Sequence, residues 1–137
     1  MKTLLAGIMA KTTGSALSTA VGGRISKEGK AAARTTYPHV TFELPITGQQ
    51  DTFSHDIDDS TLQFNIYHNS ASGSAIAELH DLLRALFDDA VLTVTGYTNV
   101  MTVYQNTVQQ STEVTTPSGA EIVEHWAVDY EVILQTV

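Results

Sequence analysis

The chain of 137 residues contains no cysteine, which excludes disulfide bonds and thiolate metal sites. It also has no apolar run near 18 residues, so we expect no membrane-spanning helix. Residues 1–10 begin like a secretory signal, but Lys11 interrupts the short apolar run, so we interpret the segment as the start of a helix. The lack of cysteine fits a protein made and used in a reducing cytosol.

Basic residues are scarce and unevenly placed. Six of the seven Lys and Arg lie in the first 34 residues, which carry a charge near +5. Residues 35–137 hold only Arg84 against fourteen acids, a charge near −13. Because affinity for nucleic-acid phosphates depends on clustered Lys and Arg, the acidic body argues against a nucleic-acid-binding surface. It suits a surface that must not hold DNA, or one that meets a basic partner.

The clearest element is a helix predicted over Ser74–Ala90. Ser72 or Ser74 can cap its start, and Asp88 and Asp89 are unfavourable at the C-terminal end of the helix dipole, so we expect the helix to end there. The apolar residues recur at three- and four-residue steps and form one wide stripe, which needs a sheet to lie on: Ile76, Leu79, Leu82, Leu83, Leu86 and Phe87.

The remaining segments predict an N-terminal helix and several strands. Residues 1–20 are typical of a helix, and the glycine-rich basic segment 22–36 of a loop or arm. Strand patterns cover residues 40–46, 61–68, 91–95, 100–108 and 122–136, with polar loops at 48–60 and 109–120. This order predicts an α+β fold with an antiparallel or mixed sheet, the central amphipathic helix packed on it.

We expect a single domain over residues 1–137. Residues 1–36 would form the N-terminal helix and the basic glycine-rich arm, and residues 37–137 the sheet and the central helix. No internal repeat or linker divides the chain.

No group of residues has the pattern of an active site. The histidines lie on different predicted elements, and none forms a helical ligand pair. His55 with Asp56, Asp58 and Asp59 could hold a divalent cation, but the spacing lacks the glycine and terminal Glu of an EF-hand loop, and a solvated acidic loop is the simpler interpretation. We predict no catalytic residue, cofactor or metal, and therefore no enzyme.

Four stretches of the chain carry a family pattern. They are Tyr37–Thr41 (YPHVT), Thr61–Tyr67 (TLQFNIY), Glu78–Phe87 (ELHDLLRALF) followed by Leu92 and Gly96, and Trp126–Val132 (WAVDYEV). Together they span most of residues 37–134, and the pattern resembles the tail terminator, or tail completion, proteins of long-tailed bacteriophages. Segments 22–36 and 48–60 do not match the family.

The resemblance implies a non-enzymatic structural protein of the virion, usually a hexameric ring. Such a ring caps the tail tube, stops its polymerisation and joins the tail to the head connector. The implied partners are the tail tube protein and a connector or head completion protein, and DNA passes through the lumen without specific binding. The implied location is the head–tail interface of the virion, after assembly in the host cytoplasm. A small α+β ligand-binding or regulatory module is the alternative function, and an enzyme with an unrecognised site is a third.

The same reasoning predicts where subunits meet. We expect the acidic segment with Asp51, Asp56, Asp58 and Asp59 to face the lumen or a partner ring, because four acids within nine residues repel one another. A neighbouring subunit would supply the counter-charge from its basic segment. We also expect the sheet to help form contacts between copies, because the final strand has more large apolar residues than one helix covers. The residues proposed for the basic side and for apolar packing at an interface are Arg24, Lys27, Lys30, Arg34 and Trp126.

Overall fold

A computed structural model describes residues 2–27, 36–51, 56–70, 73–117 and 119–136. In chain order its elements are α1 (Lys2–Thr12), α2 (Ala16–Ala20), β1 (Ile25–Lys27), β2 (His39–Asp51), β3 (Asp56–His68), α3 (Gly73–Phe87), β4 (Ala90–Leu92), β5 (Tyr97–Thr116) and β6 (Gly119–Thr136). One sheet contains the six strands in the order β1-β2-β3-β6-β5-β4. Strands β1 and β2 are parallel, and the other neighbours are antiparallel. The predicted α+β class is confirmed. Among the described helices, none is long and apolar enough to cross a membrane.

Helix α3 packs on the sheet through the predicted stripe. Its contacts are with β3, β5 and β6, and the Phe87 and Phe64 ring centroids lie 4.7 Å apart. Burial of a large apolar side chain contributes about 1.5–3 kcal/mol, so the four buried residues of the stripe hold the helix firmly on the sheet. Leu82 and Leu86 are only partly buried at the flank of the stripe. The fully buried members are Ile76, Leu79, Leu83 and Phe87.

The start and end of α3 agree only in part with the prediction. The helix stops at Phe87, directly before the acidic pair, and Asp89 adopts the left-handed conformation with φ 50°. Because α3 begins at Gly73, Ser74 lies inside the first turn and cannot be its cap. Ser72 lies outside the described residues.

The N-terminal segment forms two helices instead of the predicted single one. Gly14 has φ 75°, which breaks the helix, and Ser15 then caps α2 by accepting a hydrogen bond from the Ser18 backbone N–H at 3.1 Å. Both helices place apolar residues in the core: Leu4 and Ile8 from α1, and Leu17 from α2. The apolar side of this segment therefore stays in the core, although the chain changes direction between the two helices.

Part of the predicted basic loop is a strand. Residues 25–27 form β1, which pairs with β2 through Ile25–Val40, Ser26–Thr41 and Lys27–Phe42. Ile25 is buried because it lies on the core side of this pair. Residues 28–35 lie outside the described part of the chain.

The first hairpin is longer than its polar sequence predicts. Strand β2 continues past Pro45 to Asp51, and the register with β3 shifts between Glu43 and Ile46. A shift of this kind accommodates a residue that cannot donate a ladder hydrogen bond. Pro45 therefore lies at an irregular point of β2 and does not end the strand. Residues 52–55 of the predicted loop lie outside the described residues.

The second hairpin also replaces a predicted loop. Strands β5 and β6 stay paired from Asn106–Asp129 to Thr116–Gly119, so almost all of the predicted loop 109–120 is strand. Its polarity has a physical reason. Strand β3 ends opposite Glu124, so the outer part of the hairpin has no third strand among the described elements, and its exposed positions are polar.

The two hairpins extend from opposite ends of the sheet. The β2–β3 turn lies where β3 pairs with Gln135 of β6, whereas the β5–β6 turn lies beyond the other end of β3, where His68 pairs with Glu124. Ile122, which shares its side of β6 with core residues, is 61% exposed because it lies on this extension. Four other apolar residues on the same side of β6 are buried: Val128, Tyr130, Val132 and Leu134.

Candidate functional site

The four predicted acidic interface residues lie in strands and not in a loop. Asp51 ends β2 directly opposite Asp56 of β3, Asp58 pairs with Gln49, and Asp59 pairs with Gly48. Like charges directly opposite each other destabilise a strand pair. This end of the hairpin is therefore more stable when it is exposed to solvent or lies beside a cation. No cluster of three or more ligating side chains is found among the described residues, and the choice between partner contact and metal site stays a prediction.

The two described residues of the predicted basic set, Arg24 and Lys27, lie directly before β1 and at its end, on the side of β2 that faces away from β3. The Arg24 guanidinium donates from Nε to the Pro38 carbonyl at 2.9 Å and from Nη2 to the Tyr37 carbonyl at 3.5 Å, which fixes the start of β2 within its own subunit. Lys27 is exposed at the end of β1. Lys30 and Arg34 lie outside the described residues.

Lys27 and the acidic hairpin end are far apart within one subunit. Lys27 pairs with Phe42, and Asp51 follows nine residues later on the same strand. At about 3.4 Å per residue the two lie about 30 Å apart. A charge contact between them within one chain is excluded by this distance, because such interactions are screened over about 8 Å at physiological salt.

Trp126 is half-buried on β6, beside the central helix. Its ring meets His80 of α3 edge-on, with centroids 5.3 Å apart, and it pairs across the strands with Gln109. The indole N–H is buried and has no hydrogen-bond partner among the described side chains and backbone. Part of the Trp126 surface is therefore used inside the subunit, and its interface role stays a prediction.

A polar network lies at the C-terminal end of α3, and the sequence did not predict it. Arg84 binds the Asp88 carboxylate with Nε at 2.9 Å and Nη2 at 2.8 Å, and the buried Tyr130 hydroxyl donates to the other carboxylate oxygen at 2.7 Å. The guanidinium carbon also lies 3.6 Å from the Tyr104 ring centroid. The Arg84–Asp88 ion pair thus links the end of α3 to Tyr104 of β5 and Tyr130 of β6.

The network continues through a shared hydroxyl. Thr107 Oγ1 lies 2.8 Å from the Tyr104 hydroxyl and 2.8 Å from His80 Nε2. The i, i+4 spacing of Arg84 and Asp88 was the available signal, but nothing local to the helix indicates that Tyr104, Thr107 and Tyr130 come together there.

The titration of this network follows from its contacts. Burial and then Arg84 lower the pKa of the His80 imidazole, against the pull of Asp81 and Asp88. Burial acts to raise the pKa of the Asp88 carboxyl, but hydrogen bonds from Arg84 and Tyr130 outweigh it, so this pKa lies below its usual value. Burial and the bond to Asp88 raise the pKa of the Tyr130 phenol. At neutral pH the network therefore holds a carboxylate, a guanidinium, a neutral phenol and a neutral imidazole.

The opposite face of the sheet carries a stack of four rings. Tyr37 and His39 have centroids 5.2 Å apart, His39 and Tyr67 4.7 Å, and Tyr67 and His125 4.4 Å. His125 Nε2 also lies 2.7 Å from Asn65 Oδ1. Two of the five histidines, which the sequence places on separate elements, thus meet in one stack across β2, β3 and β6.

Comparison with known proteins gives one informative result. No protein-family model and no curated protein matches the chain. The structure is similar to a chain in the solved virion of a native gene transfer agent (GTA) particle, with a TM-score of 0.75 at 7% sequence identity. The likeness covers 98% of this chain and 96% of that chain. At this identity it shows a shared fold over nearly the whole length of both chains.

Proposed function

We propose that the protein is a structural component of a phage-type virion, and that within the virion it is the tail terminator. The observation that carries the virion role is the shared fold, nearly end to end, with a chain of a gene transfer agent virion. The terminator role rests on the sequence resemblance of residues 37–41, 61–67, 78–87 and 126–132 to that family.

In this role the chain forms a ring, a hexamer by the family resemblance, on the end of the tail tube. The ring stops addition of further tube subunits and offers its other side to the head connector or head completion protein. These tasks require shape and surface contacts, not chemistry, so we propose no enzymatic activity and no cofactor. The acidic body of residues 35–137 would let DNA pass through the lumen without being held.

The acidic hairpin end supports a contact between subunits. Asp51 faces Asp56 across the strands, and the nearest described cation along β2 is Lys27, about 30 Å away. Among the described residues, no cation of the same chain lies near this end along β2. We propose that this end faces the lumen or the basic segment of a neighbouring subunit.

The proposal is tested by adding purified protein to growing tail tubes. Electron microscopy should show tubes of uniform length that end in a ring, and tubes without the protein should grow to uncontrolled lengths. Native mass spectrometry should give a hexamer on the tube end. Tubes that keep growing with the protein present would refute the terminator role.

An open pocket beside α1 favours the alternative of a small ligand-binding module. Its volume is about 320 Å³, which is enough for a small ligand. The lining is mostly apolar with one cation: Leu5, Ala6, Met9, Ile25, Ser26, Lys27 and Phe42. A monomer that binds a small apolar anion stoichiometrically, and that leaves tubes uncapped, would favour this function instead.

A further inference from the structure

Four apolar residues lie together on the face of the sheet that points away from α3, which we call the outer face. Val91 pairs with Met101, and Met101 pairs with Ile133, so these three form a row across β4, β5 and β6. Val103 follows two residues after Met101 and therefore lies on the same face. Thr102, between them, is buried and donates to the Phe87 carbonyl at the end of α3, which fixes the direction of the row. We call Val91, Met101, Val103 and Ile133 the outer patch.

The outer patch is open to solvent in the single subunit. Val91 is 64% exposed and Met101 is 37% exposed, and Val103 and Ile133 are half-buried beside them. Single exposed apolar residues are common on protein surfaces, but a contiguous group of them marks a contact site. The charges around the outer patch indicate what it contacts.

Two carboxylates border the outer patch. Glu131 pairs with Val103, and Asp129 lies two residues before Glu131 on the same face. The side-chain amides that donate to them are neutral: Gln105 bonds Glu131 at 3.4 Å, and Gln63 bonds Asp129 at 2.9 Å. Residues 35–137 contain one cation, Arg84, and it is held in the network at the end of α3. The best partner for the outer patch therefore combines an apolar surface with positive charge.

Helix α1 has a surface of this kind. Its side turned away from the core carries Ala6, Met9 and Ala10, all exposed, and Met9 is exposed to 37%. Lys11 lies in the last turn of the helix, and residues 1–27 contain four cations and no acid.

Every copy of the chain therefore presents both a basic, apolar helix and an acidic, apolar face. Two copies attract each other where α1 of one meets the outer face of the other, although their net charge of −8 makes them repel elsewhere. Contact between two outer patches would instead bring Asp129 and Glu131 of both copies together. The charge distribution thus favours a second copy as the partner, joined through two different surfaces.

We infer that the exposed side of α1 of one subunit packs on the outer patch of the next. Helix α1 then lies between the core of its own subunit and the sheet of its neighbour. The contact is head-to-tail because the two surfaces are different, and head-to-tail contacts generate rings when the rotation closes. The inference rests on the ring of the proposed function and names the two surfaces through which the ring closes.

Crosslinking between two single-cysteine variants tests the contact directly, because the chain has no cysteine of its own. Ala10→Cys marks α1, and Val91→Cys marks the outer patch. Mixed in equal amounts and treated with a short bismaleimide, in free solution and with tail tubes present, they should give a covalent dimer. Mass spectrometry should find both sites in the linked peptide.

The mixture excludes a link within one chain, which is necessary because α1 contacts β4 of its own subunit. Each variant treated alone is the control and should remain monomeric on a denaturing gel. Dimers from Val91→Cys alone would mean that two outer patches meet and would overturn the head-to-tail contact.

A charge variant gives a second, independent readout. Met101→Lys places a cation in the outer patch, opposite the basic helix, so ring formation on tubes should fall about tenfold or more and recover partly at high salt. The matched control is Val108→Lys, on the same strand and the same face but outside the outer patch, where the side chain is 45% exposed. It should form rings normally, and circular dichroism should show that both variants are folded. Equal losses in the two variants would overturn the contact.

Failure of this inference can be told from failure of the proposed function. If wild-type protein caps tubes with rings, but the mixed cysteine variants give no dimer and Met101→Lys has no effect, the contact is wrong and the terminator role stands. If wild-type protein leaves the tubes growing without a ring, the terminator role fails. The mixed dimer in free solution would then still support the contact, and its absence would overturn the contact as well.

Discussion

The covered centre of the sheet and its two projecting hairpins are built from the same strands, yet they are held together differently. In the centre Phe64, Val128 and Tyr130 are fully buried beneath α3. On the β5–β6 extension Thr112 and Glu113 are exposed, and the two strands pair there without a third described strand. A two-stranded ribbon is only marginally stable in water by itself. Stability therefore resides in the centre, and the hairpins are available for contacts with other molecules.

The largest effect is expected from a charge in the centre. Leu83→Asp places a carboxylate in the apolar stripe, which costs more than about 4 kcal/mol and should unfold the protein. Leu86→Asp should also unfold it, with a smaller loss because Leu86 is only partly buried. Circular dichroism during heating measures both.

The matched control for this experiment lies on the β5–β6 hairpin. Ile122→Asp introduces the same charge at a side chain that is 61% exposed, and it should change stability by less than about 0.5 kcal/mol. An unchanged melting temperature for Leu83→Asp would show that the stripe does not face the sheet.

A smaller loss is expected from the polar network at the end of α3. Tyr130→Phe removes the hydroxyl that donates to Asp88 and should cost about 1–2 kcal/mol in urea unfolding. Arg84 and Asp88 remain 37% and 32% exposed, so their ion pair adds only about 0.3–0.5 kcal/mol. Asp89→Asn, on the neighbouring exposed residue, is the control and should be neutral. Equal losses for both variants would contradict the role assigned to the network.

Lowering the pH should destabilise the folded protein, because it protonates His80. Its pKa is lowered in the folded protein, so the contribution of the neutral ring is complete above the unfolded pKa of 6.5 and is lost as pH falls below that value. The Asp88 contribution, from a lowered carboxyl pKa, is lost only below its usual value of 3.8. Melting temperatures at pH 7.5 and 5.5 should differ more in the wild type than in His80→Gln. An identical pH dependence in both proteins would show that protonation of His80 does not cause the loss of stability.

The smallest effect on stability is expected at the acidic hairpin. Replacing Asp51, Asp56, Asp58 and Asp59 by Asn should leave the melting temperature unchanged or slightly raised, because it removes like-charge repulsion. The same variant should impair capping or head joining. Millimolar calcium or magnesium should not alter the wild-type melting temperature, and a rise of several degrees would show that these residues bind metal.

The sequence predicts the helix on the sheet well and the hairpins poorly. The stripe from Ile76 to Phe87 has a strong helical period, and its end at the acidic pair is set by local electrostatics. Residues 48–60 and 109–120 were assigned to loops because they are polar. Within these ranges residues 48–51, 56–60, 109–116 and 119–120 are strands, because backbone pairing does not require an apolar side chain. A polar strand has no periodic signal where neither face is buried.

The polar network and the ring stack could not be predicted for a different reason. Arg84 and Asp88 are four residues apart on one helix, but Tyr130 is 42 residues further on and reaches them only after β6 has taken its place in the sheet. Likewise His39 and His125 meet through Tyr67, and each lies on a different strand. The pairing register of the strands in the folded sheet brings these groups together. No local pattern in a single sequence indicates that register.

The position of β6 in the sheet has a consequence for biosynthesis. This strand lies between β3 and β5, although it is synthesised after both. Until it emerges from the ribosome, the β1–β2–β3 part and the β4–β5 part have no strand to join them, and the Tyr130 anchor of α3 is missing. A nascent chain therefore cannot complete the sheet before its final strand is released. A chain that ends before β6 therefore lacks both the completed sheet and the Tyr130 anchor.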